Sequence, residues 1–329
     1  MNKVFIASCR PRESVYEGHL RRLAGLSRGR ETVFTDSPAQ ADLILIVDID
    51  DHDLHNSVRR NRVWMRYPAK SFGLDEDGWH APPRFLHGVY NSVSRSESAG
   101  GRFQTFGYYI HQQRFPNPCP DPERVWTMPK DLLFSFSGRN CHAVRERLFQ
   151  QVFPTRDVLL EDTSNYNHFQ AEPPVELARK HQEGFWNTAM RSKFALCPRG
   201  AGPASIRLFE MMEAGIAPVI ISDEWCRPLG PAWEQFALFV AEKDVGDLYQ
   251  IVKVHEDEYR ERGRMARKAF EDFFAPDQYW EGLLKTTDYV ANNQTMPEAS
   301  YAWTVHFWVL WQRLKRQRIK WGTRLKRYF

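Results

Sequence analysis

Residues 192–223, SKFALCPRGAGPASIRLFEMMEAGIAPVIISD, constrain this chain more than any other stretch. The apolar run 193–197 reads as a buried strand. Pro198-Arg199-Gly200-Ala201-Gly202-Pro203 then breaks it, with two glycines where bulkier side chains would keep a ligand off the backbone. Pro203 suits a first helical turn, and 204–214 has helical periodicity, with Ile206, Phe209 and Met212 able to face a core and Gly215 as the stop. Residues 217–221 form the next buried strand. Such a unit presents unpaired N–H groups and the positive end of a helix dipole at its loop; with Arg199 and Arg207 alongside, it predicts a diphosphate site. Ser205 is placed to cap the helix, a role compatible with phosphate binding.

The spacing of Phe194, Leu196, Pro198, Gly200, Ser205, Arg207, Leu208, Glu210, Ala214, Gly215, Pro218, Val219, Ile220, Ile221, Ser222 and Asp223 closely resembles the core signature of the exostosin family of glycosyltransferases. Asp131 to Arg139 with Arg145 is similar to that family's phenylalanine-glycine-arginine element, and 37–47 (SPAQADLILIV) to one of its strands, so that about three-quarters of the chain is covered. The resemblance implies a GT-B fold, two Rossmann-like domains facing across a cleft. It also implies inverting transfer of a sugar from a nucleotide-sugar donor, UDP- or GDP-linked, to a glycan or lipid-linked oligosaccharide in surface polysaccharide synthesis. Neither a cofactor nor a metal is obligatory in that reading. Donor binding falls to Arg139, Arg145, Arg199, Gly200, Ser205, Arg207 and Glu210. Glu210 stands where GT-B enzymes place a carboxylate on the donor ribose, which an acceptor-only group suits; the plainer alternative is an i, i+3 ion pair with Arg207, a matter of a few tenths of a kcal/mol. Arg139, after a strand and a glycine, can meet the leaving diphosphate in a bidentate manner. Arg145, on the following helix, either turns toward the same phosphates or is solvated.

The length of 329 residues and 42 % hydrophobic content suffice for two domains. The strand patterns 3–8 and 41–47 with a helix at 16–26 make a Rossmann-like beginning, whereas 71–127 turns to Gly, Pro, His and aromatics and reads as long functional loops followed by a linker. A second series follows: strand 132–136, helix 143–152, strand 157–161, the unit at 192–223, then helices 245–262 and 264–274. The expected division is an acceptor-side domain 1–128, a nucleotide-sugar domain 129–295 and a tail 296–329. Five scattered cysteines without a CxxC pair indicate neither a disulfide framework nor a zinc site. With no secretory or membrane-spanning run visible, the expectation is a cytoplasmic protein, and the resemblance then suggests a bacterial relative working without the family's membrane anchor.

The net charge of +4 conceals an asymmetry, because 303–329 holds eight Lys and Arg and no acid, leaving the rest at −4. Trp303, Phe307, Trp308, Trp311, Trp321 and Phe329 interleave with those cations. That pattern describes an interfacial helix for an anionic membrane, or a segment of which 303–314 packs on the protein. No second basic stripe supports nucleic-acid binding.

Inverting transfer needs a base within reach of the acceptor hydroxyl. Asp50, Asp51 and His80 are the leading candidates, with Asp48, Asp53, His87, His111, Glu161 and Asp162 behind them. Two rival readings stay open. The run Leu43 to Asp51 resembles the hydrophobic strand and Asp-x-Asp of metal-dependent GT-A enzymes, with Asp48 and Asp50 on Mn²⁺ or Mg²⁺. Alternatively, the chain is a catalytically silent exostosin-like scaffold.

Overall fold

The computed structural model describes residues 2–10, 14–29, 31–49, 61–76, 86–108, 117–166, 175–295 and 300. The tail at 303–329 therefore lies outside the described residues, as do Asp50, Asp51, Asp53, His80 and His111. Two wholly parallel sheets organise the chain. The first joins β1 (Asn2–Ser8), β2 (Thr32–Phe34), β3 (Leu43–Val47), β4 (Ser71–Asp75), β5 (Gly88–Tyr90) and β6 (Phe103–Gln104) in the order β2-β1-β3-β4-β5-β6. The second joins β7 (Leu132–Gly138), β8 (Val158–Asp162), β9 (Ser192–Pro198), β10 (Ala217–Ile221) and β11 (Leu238–Phe239) in the order β11-β10-β9-β7-β8.

Both sheets follow one plan: the first strand lies inside, the second to one side of it and the third to the other. The order reverses between β1 and β3 in one sheet and between β7 and β9 in the other, and at such switch points the crevice beyond the carboxyl ends of the strands is open to a ligand. This pair of parallel-sheet α/β units is the GT-B arrangement. Strands such as LILIV of β3 and LLFSFSG of β7 are largely buried on both faces because helices cover both. Those helices include α1 (Val15–Leu26), α2 (Ala143–Phe149), α3 (Val175–Met190), α4 (Ile206–Ala214), α5 (Tyr259–Phe273) and α6 (Pro276–Asn293).

Three expectations need correction. The stretch 71–127 is not loop and linker alone, since it supplies β4, β5 and β6. These strands have two to five residues, and Gly73 of β4 lies so close to β5 that a Cβ would overlap Tyr90. The predicted helices 245–262 and 264–274 are instead a 3₁₀ turn (Glu242–Asp247), a short helix (Leu248–Lys253), a second 3₁₀ turn (Glu256–Glu258) and α5. Gly263 does not break α5; it lets the helix lie on the Gly215 carbonyl, which a Cβ would overlap. Helix α6, placed by sequence in the 129–295 unit, packs on the first sheet: Trp280 Nε1 donates to Thr32 Oγ1 at 2.9 Å and Tyr279 hydroxyl to Glu76.

The halves are joined along one edge. Ser94 and Trp225 form an antiparallel bridge, Arg95 N–H donates to Glu224 O at 2.8 Å, and Thr105 Oγ1 to Cys226 O at 2.7 Å. One apolar cluster runs through both, with Phe106 against Phe274 and Phe274 against Phe209. All five cysteines are free. Among the described residues no helix is long and apolar enough to cross a membrane.

Candidate functional site

The second sheet's switch point is built from the loops after β7 and β9. Arg199 N–H donates to Ile221 O at 3.0 Å and Ser222 Oγ to Pro203 O at 2.8 Å, which fixes the loop 199–205 against the end of β10. Helix α4 begins two residues later than its periodicity suggests, with Pro203 and Ala204 outside it. Ser205 is the N-cap residue, yet its hydroxyl makes no capping hydrogen bond, contrary to expectation. The first-turn N–H groups of α4 therefore have no side-chain cap, and Ser205, Ile206 and Arg207 line the adjoining cavity. At the other end Gly215 takes φ 71°, the left-handed conformation that stops a helix, with its carbonyl held by Trp126 Nε1 at 3.0 Å. At Gly200 packing does not demand glycine: a Cβ there would meet only Arg145 Nη2 at 3.5 Å and atoms 4.0 Å away.

Three arginines converge where β7 ends. Arg207, from the first turn of α4, donates to Ser137 O, and its guanidinium lies 4.5 Å from the Phe136 ring and 5.4 Å from that of Phe185. Its Nε is enclosed and without a hydrogen-bond partner. Burial lowers its pKa, with the Glu210 charge acting the other way. Gly138 makes room for this arrangement, since a Cβ would lie 2.8 Å from Phe136 Cζ and 3.0 Å from Arg207 Nη2. Arg139 follows directly and lines the cavity. Arg145 is buried and not solvated; it donates to Arg199 O at 2.8 Å, Arg139 O at 3.0 Å and Pro198 O at 3.1 Å, so that one guanidinium ties both strand-end loops together. Burial, then the neighbouring Arg207, pull its pKa down to about 10. Arg199 turns elsewhere, pairing with Glu242 at 3.5 Å, and does not line the cavity.

The cavity has a volume of about 390 Å³ and takes Tyr108 and Asn117 from the chain before β7. Glu210, one turn beyond Arg207, also lines it and accepts from Asn117 Nδ2 at 2.8 Å. Lys180, Arg139, Arg145 and Arg207 stand against two carboxylates, Glu161 and Glu210. Enclosed guanidinium groups answered mainly by backbone carbonyls are costly to keep unless an anion shares the site. Tyr108, Tyr166, Lys180, His181 and Phe185 were not singled out in the sequence. Most of them come from α3 and the loop before it, and the run Phe185-Trp186 with Ala189 and Met190 was the available signal for that helix.

The base candidates scatter. Asp48 ends β3 at the first sheet's switch point, buried, with φ 54°, the one non-glycine residue of positive φ among those described, and accepts from Ser8 Oγ at 2.7 Å. Left-handed backbone at a non-glycine residue is strained. Asp48 follows a strand of the first sheet, whereas the arginines gather at the second, and its GT-A partner Asp50 falls outside the described residues. No group of three or more His, Cys, Asp or Glu able to hold a metal occurs among the described residues. His87 is buried, stacked on Phe72 with ring centres 3.9 Å apart and hydrogen-bonded to Gln294 at 2.6 Å. Burial, with Arg102 adding to it, pushes its pKa to about 4, so it is a neutral packing residue near pH 7. Glu161 lines the arginine cavity and accepts from Ser137 Oγ at 2.8 Å, while Asp162 accepts from Ser164 N–H at 2.9 Å.

Residues 111–255 match the family model of the Exostosin GT47 domain, and every residue lining the cavity except Tyr108 falls inside that match. Over those residues the chain is similar to the Exostosin GT47 domain. It is similar to the probable glucuronosyltransferase GUT1 of Oryza sativa subsp. japonica, 37% identical over 91 residues, 27% of this chain and 22% of that one. The probable beta-1,4-xylosyltransferase IRX10 of Arabidopsis thaliana is 37% identical over 89 residues, 26% of this chain and 22% of that one. The match thus spans about a fifth of the length of these relatives. A solved structure of WaaG, a glycosyltransferase involved in lipopolysaccharide biosynthesis, aligns over 89% of this chain and 99% of that one at 13% identity and a TM-score of 0.38.

Proposed function

We propose that this chain is an exostosin-type enzyme that transfers a sugar, with inversion, from a nucleotide-sugar donor to a glycan or lipid-linked acceptor in surface polysaccharide synthesis. The observation that carries the reading is the cluster of Arg139, Arg145 and Arg207 beside an uncapped helix start at a parallel-sheet switch point. Negative charge building on the leaving diphosphate would meet N–H groups of α4, Arg207 and Arg139, already oriented before reaction. Arg145 would hold the loops that carry them, and Glu210 would accept from the donor ribose. The donor is UDP- or GDP-linked, and the names of the relatives put UDP-glucuronic acid and UDP-xylose first in a test panel. Glu210→Ala should weaken UDP binding by about 1.5–3 kcal/mol, the range for a hydrogen bond to a charged group. Calorimetry showing unchanged nucleotide affinity in both Glu210→Ala and Arg139→Ala would remove the assignment.

With arginines and a helix start facing the diphosphate, no cation is needed between protein and donor. Turnover should survive EDTA; loss on chelation, restored by Mn²⁺ and abolished in Asp50→Ala, would favour the Asp48 and Asp50 reading. Nucleotide binding without turnover on any acceptor would instead favour the silent scaffold.

For residues 303–329 the reading is attachment to the inner face of the cell membrane from the cytoplasm, where a lipid-linked acceptor is presented. Each of its eight cations would contribute at most about 1 kcal/mol near an anionic surface, and salt would screen that part but not inserted tryptophans. The full chain should sediment with anionic liposomes, less at high salt, and a chain ending at Thr295 should not. An intact chain that stays in the supernatant at low salt would defeat the idea.

A further inference from the structure

We propose that Tyr166 and His181 form the platform on which the nucleobase of the donor stacks, an inference that rests on the nucleotide-sugar reading above. Their rings lie face to face, centres 3.8 Å apart and planes 14° from parallel, and both line the arginine cavity. Tyr166 belongs to the loop after β8, and His181 to α3. β8 is the edge strand beside β7, and the two strand-end loops are tied directly: Thr163 N–H donates to Gly138 O at 3.1 Å and Asn140 N–H to Ser164 Oγ at 2.9 Å. The aromatic pair is thereby fixed next to the Gly138 and Arg139 turn, on the side away from β9.

Neighbouring strands run about 4.8 Å apart, so crossing from the β9–β7 crevice to the β8 loop covers about 5–10 Å. That is the span a ribose places between a diphosphate and its base. The cavity thus offers guanidinium groups at Arg207 and Arg139 and, across the strand ends, the stacked rings of Tyr166 and His181. A neutral planar base gains little from the first part and stacks on the second, as bases do on exposed aromatic faces. Stacking accepts any base. Thr163 and Gln182, which also line the cavity beside the pair, carry both donors and acceptors that can read a base edge. A pair serving only to staple α3 to the β8 loop would have no need to line the cavity.

The test measures binding of UDP and of inorganic pyrophosphate to the full chain and to two variants. In the unaltered chain UDP should bind at least ten times more tightly than pyrophosphate. Tyr166→Ala should lower UDP affinity about ten-fold, within the range for losing one base–aromatic stack, while leaving pyrophosphate affinity unchanged. Tyr166→Phe keeps the ring and should keep UDP affinity. Equal affinity for UDP and pyrophosphate in the unaltered chain would overturn the base platform and leave the diphosphate site standing. Parallel loss of both ligands in Tyr166→Ala would also overturn it, because the pair would then be structural. If neither ligand binds the unaltered chain, the donor reading itself fails and the platform with it.

Discussion

Arg207→Ala is expected to lower kcat/KM for sugar transfer by about two to three orders of magnitude, the range for removing one preorganised donor from developing negative charge. The guanidinium lies over the Phe136 and Phe185 rings and is anchored on Ser137 O, so its remaining N–H groups are fixed before any ligand arrives. Alanine removes the charge and the contacts with both rings. Lysine should recover little, because a compact ammonium cannot lie over two rings, hold the Ser137 carbonyl and face a phosphate together. Both variants should melt within a few degrees of the parent, since the β7 and β9 loops are tied independently by Arg145. A fully active alanine variant with wild-type nucleotide affinity would move the anion site away from this arginine, leaving Arg139 to meet the diphosphate.

Legibility in the sequence follows where the fold is local. The unit at 192–223 could be read nearly to the residue because its strand, loop, helix and strand are consecutive, and β10 has the predicted bounds. Pro203 and Ala204 fell on the wrong side of the helix boundary, since the fixed φ of proline suits an extended loop residue as well as a first helical turn. Residues 71–127 were opaque for a different reason. Strands such as GVY and FQ show no alternation when both faces are buried, and they become strands only by pairing with neighbours already in place. Arg145 had two open readings, phosphate or solvent. Its actual partners are three carbonyls, two of them more than fifty positions away, and spacing cannot foretell that.

The return of α6 to the first sheet yields the largest expected loss of stability: Trp280→Ala should cost about 3–5 kcal/mol, the range for truncating a large buried aromatic. Trp280 is fully buried, with its ring centre 5.7 Å from that of Phe34 and its Nε1–H on Thr32. Thr32 and Phe34 belong to β2, an edge strand of three residues bonded to β1 alone, so that side of the sheet leans on Trp280 and on Arg21 of α1, 4.5 Å from the Phe34 ring. Beside it, Tyr279 donates to buried Glu76, and Gly282 admits the Phe106 ring into a space that a Cβ would take. Alanine at 280 therefore strips the contact that holds α6 to β2, next to a helix face that cannot close up around the cavity. Trp280→Phe keeps most of the apolar contact and gives up the hydrogen bond, which should cost about 1 kcal/mol plus part of the lost volume. Urea denaturation compares the three proteins, and below the transition the nucleotide affinity of Trp280→Ala should equal that of the parent, because the arginine cavity is built on the second sheet. An unchanged midpoint for Trp280→Ala would mean that α6 does not secure the first sheet; nucleotide affinity lost in step with stability would mean that the arginine loops depend on this joint as well.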